Sequence, residues 1–305
     1  MIKLSQQPLD SLRLIQQSNQ AACFICGTGN TYDMELCREC FAPMALAHQA
    51  ASQKIVPGLI AALGSSAAGK TVYLGMLLDM LSRQPDRLQL LARGAFSINL
   101  QQTTVGALAR GEFPHKTPCE PDRWNWVHCQ IRTRPQAAPL ELVLPDLPGE
   151  ALAEELDHSH TCEVVYPLLA KALGALVLVD ALKLERGSLD EDYFTMKLLT
   201  YMAEIDGRRN HGWSRRPIAF VLTKADGCEA CFDDPAAFAA ARSPGLWRHC
   251  FERFENFRFF AASVAGGCAH RVSRYGRVRV PLRIEPRGIV EPFEWLVKQL
   301  KSPSC

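Results

Sequence analysis

At 305 residues, 48% apolar and 22% charged, the chain suits an ordinary soluble globular protein of one or two domains. A formal net charge of +2 argues against a dedicated nucleic-acid binder and against an acidic tail. The start, Met1-Ile-Lys-Leu-Ser-Gln-Gln, lacks an apolar stretch of signal-peptide length, and no run reaches the roughly eighteen apolar residues of a membrane helix. No membrane span is expected, and the expected location is cytoplasmic. Twelve cysteines then point to metal binding or free thiols rather than disulfides.

Residues 1–22 form a polar N-terminal segment, weakly helical over 1–20. Cys23-x-x-Cys26 and Cys37-x-x-Cys40 follow, ten residues apart. Two such knuckles offer four thiolates at the spacing of a tetrahedral Zn²⁺ site, with an iron centre or coincidence as alternatives. Gly27 and Gly29 allow a tight turn after the first knuckle. A segment this short cannot bury a core, so the metal would supply most of its folding free energy. The reading is a small zinc ribbon over 23–50, in which Phe41 to Gln53 is a short Ala-rich connector. Arg38 is the one basic residue among 23–40, so a structural cap or protein-docking knob suits it better than nucleic-acid reading.

From residue 55 to 305, apolar runs alternate with amphipathic stretches, which predicts a mostly parallel sheet with crossover helices. Buried strands are expected at Ile55–Leu63, Leu140–Leu144, Ala175–Val179, Ile218–Leu222 and Phe257–Ala261. Trp126–Arg132 reads as an edge strand antiparallel to the second of these. Helices are expected at Thr71–Ser82, Glu163–Ala172, Asp190–Ile205, Pro235–Phe254 and Glu291–Leu300, with an extra one near Phe96–Arg110. The fold class is α/β, a three-layer sandwich with a mostly parallel sheet.

Gly64-Ser65-Ser66-Ala67-Ala68-Gly69-Lys70-Thr71 matches G-x-x-x-x-G-K-[ST] directly after the first strand. Backbone N–H groups of such a loop turn inward as an anion nest, at the N-terminus of the following helix. Lys70 adds a point charge on the outer phosphates, and the Thr71 hydroxyl can ligate Mg²⁺. Asp146-Leu147-Pro148-Gly149 ends the second strand and resembles the D-x-x-G signal of GTPases, a likeness that implies Asp146 holding Mg²⁺ through water and the Gly149 N–H meeting the γ-phosphate. Thr223-Lys224-Ala225-Asp226 ends another strand and matches [NT]-K-x-D. The Asp226 carboxylate can accept from the ring N–H and the amino group of guanine, a pair adenine lacks. A site built for such donors rejects the wrong base by up to about 10⁴-fold or more. Lys224 would lie along the base and help brace the phosphate loop. Ala262-Ser263-Val264 follows the last strand, at the place where Ras-like GTPases use an S-A-x loop whose backbone N–H contacts guanine O6, and the likeness implies that contact here. All four motifs fall at C-terminal strand ends, where open α/β sheets bind ligands.

These residues resemble the Ras-like branch of the translation-factor class of GTPases. The Asp-Leu-Pro-Gly-Glu string, the ending Gly288-Ile-Val-Glu-Pro-Phe-Glu-Trp-Leu-Val and the attached zinc ribbon are similar to the bacterial double-GTPase group. The resemblance implies GTP/GDP and Mg²⁺ as ligands, and a protein partner such as a second GTPase, in a prokaryotic conflict or signalling system. It departs in the stretch of about seventy-five residues between Lys70 and Asp146, longer than a minimal domain needs. Thr117, in a loop before the edge strand, is selected as the switch threonine on Mg²⁺, with Thr104 as runner-up. Glu150 stands where Gln often orients the attacking water. It could position water or act as a base, but it also reads as a solvated acid at a helix start, so unaided hydrolysis should be slow.

Two features stay outside this scheme. Cys228-x-x-Cys231 has no evident second pair, although Cys250, Cys268 or His270 could complete a site; free thiols are the simpler reading. Residues 271–287 carry six Arg against one Glu. There Val278, Val280, Leu282 and Ile284 alternate with polar residues as in a half-exposed hairpin, with a contact surface for an acidic partner as the sharper reading. The leading function is a regulatory GTPase. A nucleotide-binding scaffold with negligible hydrolysis is the alternative, and Asp226 disfavours an ATP-driven nucleic-acid enzyme.

Overall fold

The computed structural model describes residues 20–53, 55–83, 88–132, 139–210, 214–273 and 276–301. The weakly helical reading of the first residues lies outside these. The chain divides into two compact units, one ending at Val56 and the other beginning at Pro57. In the first, β1 (Gln20–Ala22) and β2 (Gly29–Thr31) pair antiparallel, and α1 (Met44–Gln53) follows. The expected connector is thus largely helix. Alanine favours that conformation, and Met44, Leu46 and Ala47 give the helix buried apolar contacts.

The second unit is built on seven strands: β3 (Gly58–Leu63), β4 (Gln89–Arg93), β5 (Trp126–Arg132), β6 (Leu140–Pro145), β7 (Gly174–Asp180), β8 (Ile218–Thr223) and β9 (Phe257–Ala261). Their order is β4-β5-β6-β3-β7-β8-β9. From β6 to β9 every pairing is parallel, whereas β5 runs antiparallel to both β4 and β6. Every residue of β7 is buried, as a central strand covered on both faces requires.

The helices of this unit are α2 (Lys70–Arg83), α3 (Gly94–Ala109), α4 (Gly149–Asp157), α5 (Val165–Lys171), α6 (Ala181–Glu185), α7 (Leu189–Asn210), α8 (Ala230–Asp233), α9 (Pro235–Arg242), α10 (Pro244–Arg253) and α11 (Val290–Lys301). On one face Ile60, Ala62, Leu176, Leu178, Ala219 and Val221 form a core with Leu74 and Leu77 of α2 and Phe293 and Leu296 of α11. On the other, α5 and α7 pack against β3 and β7, and α10 packs on α7. Phe220 stacks there on Phe259, which stacks on Trp247 of α10. This is the expected three-layer sandwich.

Several elements differ from the sequence reading. β3 begins at Gly58, leaving Ile55 and Val56 exposed. The helix expected over Pro235–Phe254 is two helices, because Pro244 disfavours helical geometry at Ser243, whose φ is −141°. The long stretch after the phosphate loop adds β4 as well as the extra helix α3. The hairpin is longer than 271–287, running from β10 (Ser263–Ser273) to β11 (Gly276–Arg287) as a separate two-stranded sheet. Its alternation is also turned over. Val278 and Leu282 face solvent, while Pro281 is buried and the Arg279 side chain is only 23% exposed. Register shifts between Ser263 and Cys268 mark bulges, which re-aim the side chains that follow.

Candidate functional site

The C-terminal ends of β3, β6 and β8, with the start of β10, converge on one cavity of about 270 Å³. The phosphate loop lines one end through Ala67, Gly69, Lys70 and Thr71; Thr223, Lys224, Asp226, Ser263 and Val264 line the other. Lys70 Nζ donates to the carbonyls of Gly64 and Ser65, both at 2.8 Å. Burial lowers its pKa to about 8, against the pull of Asp146, Glu150 and Glu191. Ser65 Oγ donates at 2.7 Å to Glu191, a buried carboxylate on α7 that also accepts from the Asp180 N–H and from Lys183 Nζ. Gly149 packs so closely on this loop that a Cβ would lie 2.2 Å from the Ser66 nitrogen, so no other residue fits.

Thr71 Oγ1 lies 3.0 Å from Thr117 Oγ1, which is 2.7 Å from Asp146 Oδ2. Asn125 Nδ2 donates to the same oxygen. Asp146 is fully buried, and its other oxygen, Oδ1, has no hydrogen-bond partner among the described residues. Burial pushes its carboxyl up, outweighing the Thr117 hydrogen bond and the Lys70 charge. An orphaned carboxylate oxygen beside two hydroxyls is an all-oxygen donor set for a hard cation, and it fits Mg²⁺. Thr104, the runner-up to Thr117, is buried in α3 and lines no part of the cavity.

Glu150 Oε1 accepts from Ser66 Oγ and, at 3.0 Å, from Lys116 Nζ. Partial burial raises its pKa, but these hydrogen bonds and the lysine charge together hold it down at about 2. At the other end, Asp226 lies in a single 3₁₀ turn, Ala225–Gly227, after Lys224 in the left-handed region at φ 58°. Its Oδ1 accepts from Ser263 Oγ and its Oδ2 from Arg279 Nη2, both at 2.9 Å. Lys224 pairs with Asp180 at the end of β7. The brace to the phosphate loop comes instead from Thr223, whose hydroxyl donates to the Ala68 carbonyl. Ser263 and Val264 open strand β10 rather than a free loop.

In the first unit, Cys23, Cys26, Cys37 and Cys40 have all four sulfurs within 4.8 Å of one another. The Cys23–Cys40 and Cys26–Cys37 sulfurs are 3.6 Å apart. A tetrahedral Zn²⁺ with bonds of about 2.3 Å has edges of about 3.8 Å, so the cluster fits zinc. The Cys40 thiol holds Cys23 down at about 5, while Cys40 itself is pushed up. Each knuckle closes with a residue at positive φ, Gly27 at 81° and Phe41 at 57°. Gly29, by contrast, lies in β2. Among the described residues this is the one such metal-ligating group; Cys228 and Cys231 are buried but gain no further ligand from Cys250, Cys268 or His270.

Sequence reasoning missed Glu191, Asp180, Lys116 and Arg279. Asp180 had a usable signal, because like Asp146 it ends an apolar strand. Glu191 was one of three consecutive acidic residues at a helix start, and nothing local set it apart.

The sheet order, the phosphate loop and the cavity along the strand ends define a P-loop α/β domain. Residues 61–194 match the family model Double-GTPase 1, and the chain resembles that group over the segment holding the phosphate loop and Asp146–Glu150. The matched segment stops before Thr223. No curated protein matches the chain. Among solved structures it is similar to the GTPase-like domain of S. cerevisiae Ski7 bound to GTP, at 15% identity over 81% of this chain and 51% of that chain, TM-score 0.41. The GDP and inorganic phosphate form of that domain gives the same identity and coverage at TM-score 0.37. The signal recognition particle receptor SRb-GTP/SRX complex from Chaetomium thermophilum is 15% identical over 69% of this chain and 92% of that chain, TM-score 0.30. The chain spans about half the length of the Ski7 structures. No helix among the described residues is long and apolar enough to cross a membrane.

Proposed function

We propose that this protein binds GTP and hydrolyses it slowly to GDP, as a regulatory switch in the cytoplasm. The observation that supports this most is the single cavity with Lys70 and Thr71 at one end and Asp226 with Ser263 at the other. That is the layout a nucleoside triphosphate needs. Backbone N–H groups of Gly64–Thr71 and the Lys70 ammonium would hold the phosphates. Thr71, Thr117 and Asp146 would hold Mg²⁺, which supplies charge neutralisation at the outer phosphates. Asp226 would accept from the guanine edge, with the Val264 N–H toward O6 and the Lys224 stem along the ring. Thr117 and Asp146–Glu150 are then the segments that GTP orders and hydrolysis releases.

Glu150 would position the attacking water rather than take its proton, since a carboxyl held at about 2 is a weak base. The same tie to Ser66 and Lys116 favours a second reading, a nucleotide-bound scaffold that scarcely hydrolyses without a partner. The Cys23, Cys26, Cys37 and Cys40 site would carry a structural Zn²⁺. Following the double-GTPase resemblance, the partner is a protein, a second GTPase in a prokaryotic conflict or signalling system.

Asp226→Asn tests the base assignment. The substitution replaces an acceptor by a donor, which opposes a guanine N–H and suits the extra carbonyl of xanthine. Each mismatched buried polar group costs about 1–3 kcal/mol, so competition between labelled GTP and XTP should reverse by tenfold to a hundredfold. A variant that still prefers GTP, or a parent that binds ATP equally well, removes the assignment. Single-turnover hydrolysis separates the switch from the scaffold.

A further inference from the structure

The base end of the cavity is covered by a side chain from the basic hairpin. Asp226 lines the cavity, yet its side chain is only 7% exposed. Its two oxygens are taken by Ser263 and Arg279. These are the oxygens to which guanine would bring its two N–H donors. We infer that Arg279 is an internal competitor of the guanine base, so that affinity for guanine nucleotides is set by exchange of the Asp226–Arg279 ion pair for the base. The inference rests on the reading of Asp226 as the base acceptor.

The placement of Arg279 runs against the pattern of its own strand. A hairpin on an apolar domain would be expected to bury Val278 and Leu282, which instead are 46% and 71% exposed. The strand turns Arg279 and Pro281 inward, at the expense of two aliphatic side chains left in water. An ion pair with a carboxylate that would otherwise be buried without a countercharge accounts for that orientation. Elsewhere the hairpin is tied down by Arg271–Glu112 and Arg287–Glu229, both exposed pairs of the kind that hold little. The Arg279 side chain, already 23% exposed, can turn out to solvent without moving Ala265 and Pro281, the buried residues that anchor the hairpin.

The competition discriminates between bases. Guanine arrives with two donors and can replace the arginine at Asp226. Adenine presents an acceptor beside its single amino group, so it does not compete for the carboxylate, and its binding does not depend on breaking the pair. A charge-assisted hydrogen bond is about twice as strong as a neutral one, so its loss from the nucleotide-free state should be visible in affinity.

The experiment is equilibrium binding of labelled GDP and ATP to the parent, to Arg279→Ala and to Arg277→Ala, whose exposed side chain controls for hairpin charge. The expected result is GDP affinity raised on the order of tenfold by Arg279→Ala, with ATP affinity and the Arg277→Ala variant unchanged. Arg279→Met, which keeps the packing of the stem, gives the same reading should the alanine variant fail to fold. Unchanged or weaker GDP binding in the folded variants overturns the inference, as does an equal gain for ATP, which would make Arg279 a mere obstruction. A parent without preference for GDP removes the base-site reading itself, and the two failures are thereby distinguished.

Discussion

The Thr223 hydroxyl donates a 2.7 Å hydrogen bond to the Ala68 carbonyl, tying the loop after β8 to the phosphate loop across 155 residues of chain. Thr223 Oγ1 also lies 3.1 Å from the Val179 carbonyl, so one buried side chain links the ends of β7 and β8 to the phosphate loop. The two ends of the cavity therefore share one frame. Thr223→Val keeps the shape and removes the donor, leaving a buried carbonyl short of a partner. Stability should fall by about 1–3 kcal/mol, and GDP and GTP affinity should fall together by roughly fivefold to tenfold. Denaturant unfolding and nucleotide titration measure the two. Lost stability with unchanged affinity would make the bond a purely structural one.

The Lys70 ammonium makes nucleotide binding sensitive to alkaline pH. Its pKa of about 8 in the nucleotide-free protein lies below the ordinary 10.5, so between these values the unfolded chain holds a proton the folded one lacks. Its contribution to stability thus rises with pH in that window, and the cost of burying its charge is present below about pH 8. Phosphates restore the proton. Affinity for GDP should be level below pH 8 and fall by up to about tenfold per unit above it, with proton uptake in calorimetry. A flat profile to pH 9.5 would contradict the buried, phosphate-facing lysine.

The cysteine cluster predicts about one Zn²⁺ per chain by elemental analysis. Cys37, fully buried, is the ligand whose sulfur also receives a hydrogen bond from Asn30. Cys37→Ser should lose the metal and open only the first unit to protease, leaving nucleotide binding in place. An unchanged cleavage pattern in metal-free protein would show that the four thiols do not hold the fold.

Helices α2 and α3 meet where Gly75 faces Thr104. A Cβ on Gly75 would lie 2.1 Å from Thr104 Oγ1, and that oxygen is buried without a hydrogen-bond partner among the described residues. Gly75→Ala should cost about 1–3 kcal/mol by forcing the helices apart. Thr104→Val, which removes the orphaned hydroxyl at constant shape, should leave stability unchanged or raise it by about 1 kcal/mol. A loss of Mg²⁺-dependent nucleotide binding in Thr104→Val would reopen the choice of Thr117 as the switch threonine.

The parallel strands were legible because burial on both faces writes continuous apolar runs such as Ala175–Val179. The phosphate loop was legible because its chemistry fixes residue types at fixed spacing. β4 was not, since Gln89–Arg93 is an edge strand with Leu91 exposed, and its pairing with β5 leaves no periodic trace. Thr117 was selected from its loop context alone, and the structure sets its hydroxyl beside the Thr71 hydroxyl and the Asp146 carboxylate, with its role on Mg²⁺ a proposal. Arg279 could not be placed, because it stands on the side of β11 that the alternation of Val278, Val280, Leu282 and Ile284 assigns to solvent, and nothing local reports the register shifts between Ser263 and Cys268. Local alternation reports such an orientation only where a strand is regular.

The hairpin begins and ends at one register pair, Ser263 opposite Arg287, immediately after β9 and shortly before α11. Its two ends are thus already side by side. The residues between them could be replaced by a short turn without lengthening or shifting the chain on either side. In gene terms it is a cassette: an ancestor could gain or shed it in one insertion or deletion, and a designer could exchange it for another loop while the sheet and its phosphate loop stay as they are.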